Sequence, residues 1–489
     1  MADAKKHGLA RHENVDSEYL ERRKLKKSAG WVLLWALGVG AVISGDYAGW
    51  NNGLAHGGFW GLAIATVVVA AMYVCMVFSI AELSAALPHT GGFASFTRSA
   101  LGPFGAFVCG VTNTIEYVVT PAVIVFYIGG YMNTLAPAVP DYVWWLCFYG
   151  VFVGVNVRGV ELTLRVSLLA TLVAMAVLLS FYIGSVATGA FAWERLFNVP
   201  ADPGQSAYWL PKGWYGVFAS LPYGIWFFLA IEELPLAAEE AHDVVNDIPK
   251  ALVWGIITLM VLAVFTLVLN SGIRGGAARI GISTAPLAEG FQSIFGAGVT
   301  SKLFTLIALA GLVASFHSII YAYGRILFAL SRAGYFPRWI SIVNRNHTPG
   351  VALVLGGLIG LGCTVLQKLA GKRAEEVGAT LINMAVFGAV IAYVMVMSSY
   401  IKLKHSRPEL PRPYRSPLGV PGAVLGTILA MTALAATFAS REYRPAVVSM
   451  AVFVALAIAY FLLHSRHHLV AQAPEEEAAL LAEIKKELA

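Results

Sequence analysis

An apolar run that opens at Trp31 breaks into Ser44-Gly45-Asp46 at a depth where a membrane helix should still be hydrophobic. A carboxylate there costs several kcal/mol unless it has a partner or a task. The surrounding glycines, from Gly38 to Gly53, loosen the helix, and freed backbone is tolerated only where protein lines a cavity. Asp46 therefore reads as an anionic seat for a positively charged solute, with Ser44 and Gly45 beside it. The structural alternative makes Asp46 a cap on a second half-helix, accepting backbone N–H bonds.

Three further constellations place polar groups inside apolar sequence. Asn113, Glu116, Tyr117 and Thr120 recur at spacings of three and four, so they share one helical face turned into a bundle. Glu116 suits contact with an ammonium group, carriage of a proton, or pairing with Arg165 or another helix end; a satisfied structural network is the alternative. Tyr223, Trp226, Phe227 and Phe228 precede Glu232 and Glu233. Aromatic faces attract ammonium groups by about 0.5–2 kcal/mol, so Tyr223, Trp226 and Phe227 read as walls of a site, against plain packing. Glu239 and Glu240 suit pairing with Lys250 or an arginine of another loop. Ser315 and Ser318 share a face, and His317 between them can titrate near neutral pH or simply pack.

The elements that must position these groups are membrane helices. The chain has 489 residues, 58% hydrophobic and 13% charged, about half the charged share of a soluble domain. Repeated apolar runs of about 20 residues predict an all-α polytopic membrane protein. Twelve transmembrane helices are expected, near 31–55, 58–87, 104–134, 142–157, 163–189, 214–240, 250–272, 302–331, 350–368, 378–402, 418–439 and 444–464. With the N-terminus cytoplasmic, 24 of the 34 Lys and Arg residues fall inside and 10 outside, as the positive-inside rule requires. Both termini are then cytoplasmic: a basic arm at 1–30 near the anionic leaflet, and a charged, solvated tail at 467–489.

The net charge of +6 is thus explained by orientation in lipid, and nucleic-acid binding has no support. No apolar core precedes Trp31, so no cleavable signal peptide is expected. Cys75, Cys109, Cys147 and Cys363 lie in apolar segments without metal spacing and are expected to be buried free thiols. No metal cluster or nucleophile motif argues for an enzyme, and Gly38-Val39-Gly40 lacks the context of a nucleotide fingerprint.

Helices 1 and 6 are both interrupted and polar, five spans apart. Paired broken helices in matching positions point to the central site of a carrier. The odd separation predicts a 5+5 inverted repeat, with 31–189 as the first half, 214–402 as the second, and 418–464 outside it.

Three stretches carry a resemblance to the amino acid–polyamine–organocation permease superfamily: Ala237-Ala238-Glu239-Glu240 with Asp247-Ile248-Pro249-Lys250-Ala251, Tyr323 through Pro337, and Arg407 through Tyr414. Within it the chain most resembles the ethanolamine permeases, on Ile43 through Asn51, Phe78 through Pro88 and Ile115 through Val125. The resemblance implies an alternating-access carrier in the plasma membrane, importing ethanolamine or a related small amine. Amino acid, polyamine and choline carriage are the alternatives, with a non-transporting sensor behind them.

It also implies that Ser44-Gly45-Asp46 replaces a Gly-Ser-Gly-like break that holds substrate carboxylates, so Asp46 reverses the local sign. One charge pair at about 4 Å is worth roughly 4 kcal/mol before desolvation. The resemblance further implies a gating or structural role for Glu232 and a coupling role for Ser315 and Ser318, with His317 a coupling candidate through its own titration. The two serines would join a sodium site of the kind seen in sodium-coupled relatives. The mid-helix lysine of some proton-coupled relatives is Ala174 here, which leaves the coupling ion, sodium or proton, open. No cofactor and no resident metal are expected, and the oligomeric state is not legible.

Overall fold

The computed structural model describes residues 6–7, 10–296, 301–439 and 444–476; of the tail expected at 467–489, residues 477–489 lie outside them. Two short strands, β1 (Lys6–His7) and β2 (Ala10–Glu13), and helix α1 (Ser17–Glu21) precede the bundle. Its helices are α2 (Trp31–Val42), α3 (Ser44–Tyr47), α4 (Asn52–Ala86), α5 (Gly92–Leu135), α6 (Asp141–Arg158), α7 (Val160–Ala187) and α8 (Gly213–Gly224). They continue through α9 (Val244–Phe265), α10 (Gly276–Ile280), α11 (Pro286–Phe295), α12 (Ser301–Arg332), α13 (Gly350–Leu369), α14 (Ala374–Ser406), α15 (Gly419–Ala439) and α16 (Arg444–Leu463), before strand β3 (Leu469–Val470).

Ten stretches among the described residues are long and apolar enough to cross a membrane, and Trp31–Tyr47 is a shorter apolar one. The remaining span of the expected twelve is α6, whose 18 residues include Asp141, Asn156 and Arg158. Two of the four thiols depart from expectation. Cys147 is exposed and Cys363 half-buried, which costs little for a weakly polar group on an apolar helix.

The two interrupted helices lie side by side in opposite directions. Ser28 and Ala29, just before α2, donate to the Glu240 carbonyl at 2.8 and 3.0 Å. Ser220 of α8 donates to the Gly53 carbonyl at 3.0 Å. Between these points the α2–α3 junction meets Trp226. Beyond α8 the chain unwinds through 3-10 turns at Ile225–Phe227 and Ile231–Glu240. Ala230 between them has φ 85°, a left-handed conformation that a side chain disfavours and that marks stored strain. Around this pair, α2 packs on α7, α9 and α12, while α5 packs on α12 and α14.

The end of the bundle that carries β2 and the segment after α16 is tied together by strand pairing and ion pairs. The described parts of the arm and of the tail, residues 10–27 and 467–476, are docked there rather than solvated throughout. Strand β2 pairs antiparallel with β1 and parallel with β3, joining the N-terminal arm to the segment after α16. Arg332 bridges Glu239 and Glu475, the latter at 2.6 Å. Arg98 meets Glu476 at 2.5 Å, with His12 on the same carboxylate at 3.1 Å. Burial alone would raise the Glu476 carboxyl, but the bonds from His12 and Arg98 hold it below the usual range. Charge runs read as solvated because composition cannot show that the opposite charges converge.

His89, in the turn between α4 and α5, is buried against this cluster. Burial pushes its imidazole down to about 4, with Glu239 opposing the shift. Between pH 6.5 and 4 the unfolded chain takes up a proton that the folded one refuses, so this contribution to stability falls as pH falls through that window. The loss is up to about 3 kcal/mol. His89→Gln should flatten the acid side of the stability profile, read as the difference in thermal midpoint between pH 7 and pH 4.5 in detergent.

Candidate functional site

Two cavities meet where the broken helices cross. The larger, about 770 Å³, is lined by residues around the α3 turn, by Ile124, Tyr127 and Tyr131 late in α5, by the segment before α11, and by Glu376 and Asn383 of α14. These lie at the end of the bundle opposite β2 and β3. The smaller, about 20 Å³ and so about one water in size, lies beneath it and is bounded by Glu116, Tyr117, Thr120 and Ala230. Ser44 and Trp226 border both cavities and form the partition between them.

Several expected residues converge. Ser44, Tyr223 and Trp226 face the chamber, and Gly45, Glu116 and Tyr117 face the smaller cavity. Tyr223 Oη bonds His56 Nε2 at 2.9 Å, which holds its ring on the chamber wall. Glu116 Oε2 accepts from Asn113 Nδ2 at 3.3 Å. Of the alternatives for Glu116, pairing with Arg165 does not occur, because Arg165 sits on an exposed face and bonds Glu161 at 2.5 Å.

Two expected contacts fall elsewhere. Asp46 is fully buried and lines neither cavity. At 100° per residue, Ser44 and Tyr47 share the face of α3 that looks into the chamber, and Asp46 points away from it. Its polar company includes Thr266, in a π-helical turn Thr266–Asn270 that follows α9. The Thr266 hydroxyl is already bonded to Tyr182 Oη at 2.6 Å. No backbone N–H reaches either Asp46 oxygen, so the capping reading finds no bond among the described residues. Phe227 is likewise turned away, fully buried and stacked on Trp50 with ring centroids 5.4 Å apart.

The residues expected to gate or couple are bound into the scaffold. Ser315 Oγ donates to the Gly40 carbonyl at 3.0 Å and accepts from Ser44 N–H at 3.1 Å. Ser318 bonds Ser167 at 2.9 Å. His317 is held by the Thr163 carbonyl at 2.9 Å and Asn156 at 3.4 Å. Glu232 accepts from Tyr393 Oη, which also bonds Tyr73 Oη at 2.9 Å. Among the described residues no group of three His, Cys, Asp or Glu side chains is placed to hold a metal.

Sequence reasoning passed over Tyr47, Tyr127 and Tyr131 on the chamber wall. For the α5 pair a signal was present: the stripe 113, 116, 117, 120 continues by threes and fours through 124, 127 and 131. Tyr47 is fixed by a bond from its hydroxyl to the Ala174 carbonyl at 2.9 Å.

A family model described as amino acid permease matches residues 32–466, nearly the whole membrane region. The chain belongs to the amino acid permease family. It is similar to an uncharacterized transporter of Rhizobium meliloti (strain 1021), 28% identical over 86% of this chain and 88% of that one. It is also similar to the branched-chain amino acid permease BcaP of Bacillus subtilis (strain 168), 26% identical over 82% and 85%. The fold of this permease resembles that of a manganese transporter of Eremococcus coleocola, with TM-score 0.58 and 15% identity over 91% of this chain and 97% of that structure. Family and relatives are membrane transporters, and the ten candidate spans agree with that class.

Proposed function

We propose that this permease imports a small solute bearing a protonated amine, with ethanolamine first and choline or another amino-alcohol next, by alternating access across the plasma membrane. The observation that carries the reading is the chamber wall. Among the described residues its lining includes four tyrosines, His56, Trp226, Asn51, Asn383 and one carboxylate, Glu376, but no lysine or arginine. The aromatic faces and the carboxylate of such a wall attract a cation. The Ser44 N–H, a donor at the break that a carboxylate would want, is already taken by Ser315.

The solute enters the chamber, its ammonium rests on Trp226, and displacement of Trp226 and Ser44 admits it to Glu116. Glu116 thereby takes the part that sequence reasoning gave to Asp46. The membrane potential favours entry of such a solute by about 2.3 kcal/mol per 100 mV for each positive charge.

An amino acid cargo is the second reading, favoured by the name of the Bacillus subtilis relative. Proteoliposome uptake of labelled ethanolamine, challenged with choline, serine, leucine and putrescine, separates the two. Displacement by leucine and serine but not by choline would overturn the amine reading, and saturable binding without flux would overturn carriage. Trp226→Leu is expected to raise the KM for ethanolamine by about 2- to 30-fold, the equivalent of 0.5–2 kcal/mol of lost cation–π attraction.

A further inference from the structure

Residues 48–51 join α3 to α4 just past the break in the first interrupted helix, and Asn51 ends them. Its side chain is only 1% exposed. Asn51 Nδ2 donates to the Ile280 carbonyl at 2.7 Å and to the Ser283 carbonyl at 2.9 Å. Asn51 Oδ1 accepts from the Gly49 N–H at 3.1 Å. Gly49, at φ 98°, lies against Trp226: a methyl group built on it would stand 3.0 Å from the indole. One amide thus joins the backbone beside Trp226 to the segment 281–288, which lines the chamber between α10 and α11. The two stretches also touch directly, since a methyl on Gly281 would meet the Ala55 nitrogen at 2.9 Å. The chamber wall is braced within itself. Glu289 accepts from Arg279 Nε at 2.5 Å and from Ser283 Oγ at 2.7 Å, and Ser283 Oγ accepts from the Ala285 N–H at 3.1 Å. A segment braced in this way moves as one piece.

We propose that Asn51 is a positioning residue for transport, which makes the wall 281–288 follow Trp226 when Trp226 yields to the solute. This rests on the carrier reading above, and not on which solute is carried. Both hydrogens of the Asn51 amide are spent on carbonyls, so the amide serves the wall and not the solute. When Trp226 shifts, Gly49 on its face shifts with it, and Asn51 carries the displacement to Ile280 and Ser283. Leaving a buried carbonyl without its donor is costly, so the wall stays attached through the motion. The chamber thereby closes behind a solute that has passed the partition. Asn198 offers an internal comparison. It holds α10 by the same chemistry, donating Nδ2 to the Gly275 carbonyl and accepting from the Ala278 N–H, both at 2.8 Å. It belongs to the stretch between α7 and α8 rather than to a break, so it anchors α10 independently of Gly49.

Losing the two donated bonds shifts the balance between attached and detached wall by about 10- to 100-fold. The test uses the full-length protein carrying Ala288→Cys. Labelling by a membrane-impermeant maleimide is read at position 288 by peptide mass, without solute and with ethanolamine or leucine. Solute should slow labelling by about fivefold or more when Asn51 is intact, and by less than about twofold in Asn51→Ala. In proteoliposomes without the label, kcat should fall by about tenfold or more in Asn51→Ala with KM within about threefold of wild type, while Asn198→Ala keeps the wild-type kcat. Undiminished protection by solute in Asn51→Ala, or an equal loss of kcat in Asn198→Ala, would overturn the proposal. Should alanine give too little folded protein, Asn51→Asp keeps the bond from Gly49 and removes only the two donations, and the same outcomes decide. If neither solute is bound or carried, the carrier reading falls, and the solute-free rates still decide the tether. Labelling should then rise about threefold or more in Asn51→Ala, and an unchanged rate would overturn the attachment.

Discussion

Glu240→Ala is expected to remove most of the folded protein. Glu240 and Arg325 are wholly buried and paired at 2.7 Å. Tyr321 donates its hydroxyl to the same carboxylate, and the Arg325 guanidinium lies 3.8 Å from the Tyr321 ring centroid. Truncating the carboxylate strands a guanidinium away from water, at a cost of about 3–5 kcal/mol. That is a large part of a typical total stability of about 5–15 kcal/mol. The same residue offers its backbone carbonyl to Ser28 and Ala29, so the damage spreads to the point where α2 begins. The check is the thermal midpoint and monodisperse yield in detergent. Glu240→Gln should lose less, and Glu240→Leu combined with Arg325→Met should recover much of the loss, because the pair itself contributes little beyond an apolar match of similar volume. An alanine variant within about 1 kcal/mol of wild type would contradict this. By contrast, breaking the exposed Arg165–Glu161 pair should change stability by under about 1 kcal/mol.

Much of the scaffold was legible because lipid imposes simple rules. Apolar runs had to be helices, and a polar interruption such as Ser44-Gly45-Asp46 had to face protein. The crossing of the two broken helices follows that logic, since Gly45 meets Trp226 and Ser28 meets Glu240. The polar stripe on α5 was legible too, since a regular helix keeps 113, 116, 117 and 120 on one face. Asp46 was not, because its direction depends on how α3 restarts after Ile43, and a shift of one residue turns a side chain by 100°. The destiny of Ser315 and Ser318 was hidden for a related reason: Gly40 and Ser167, which bond them, are remote in sequence. The same holds for Glu475 and Glu476, whose arginine partners lie on α12 and α5. Composition reports that charges exist; only packing reports whom they meet.

Gly45→Ala is expected to abolish uptake while Gly362→Ala leaves it intact. A methyl group built on Gly45 would overlap the backbone carbonyl of Trp226. A flexible side chain can yield to such a contact, but a carbonyl in the unwound segment after α8 can move only if that segment moves. The two breaks would have to separate, and with them the partition formed by Ser44 and Trp226. Overpacking of this kind costs about 1–3 kcal/mol in stability. Its effect on transport is larger, because Glu116, Ser44 and Trp226 act together only at their present spacing. Gly362, on α13, has open space where its methyl would go, so alanine there should match or slightly exceed wild-type stability through helix propensity. Uptake of labelled ethanolamine and of leucine, each normalised to the amount of folded protein in the vesicle, separates the two variants. Loss of both fluxes in Gly45→Ala with a midpoint only modestly lowered would place the contact between the breaks in the transport cycle. Normal flux in a folded Gly45→Ala protein would mean that the two helices need not touch for the carrier to work.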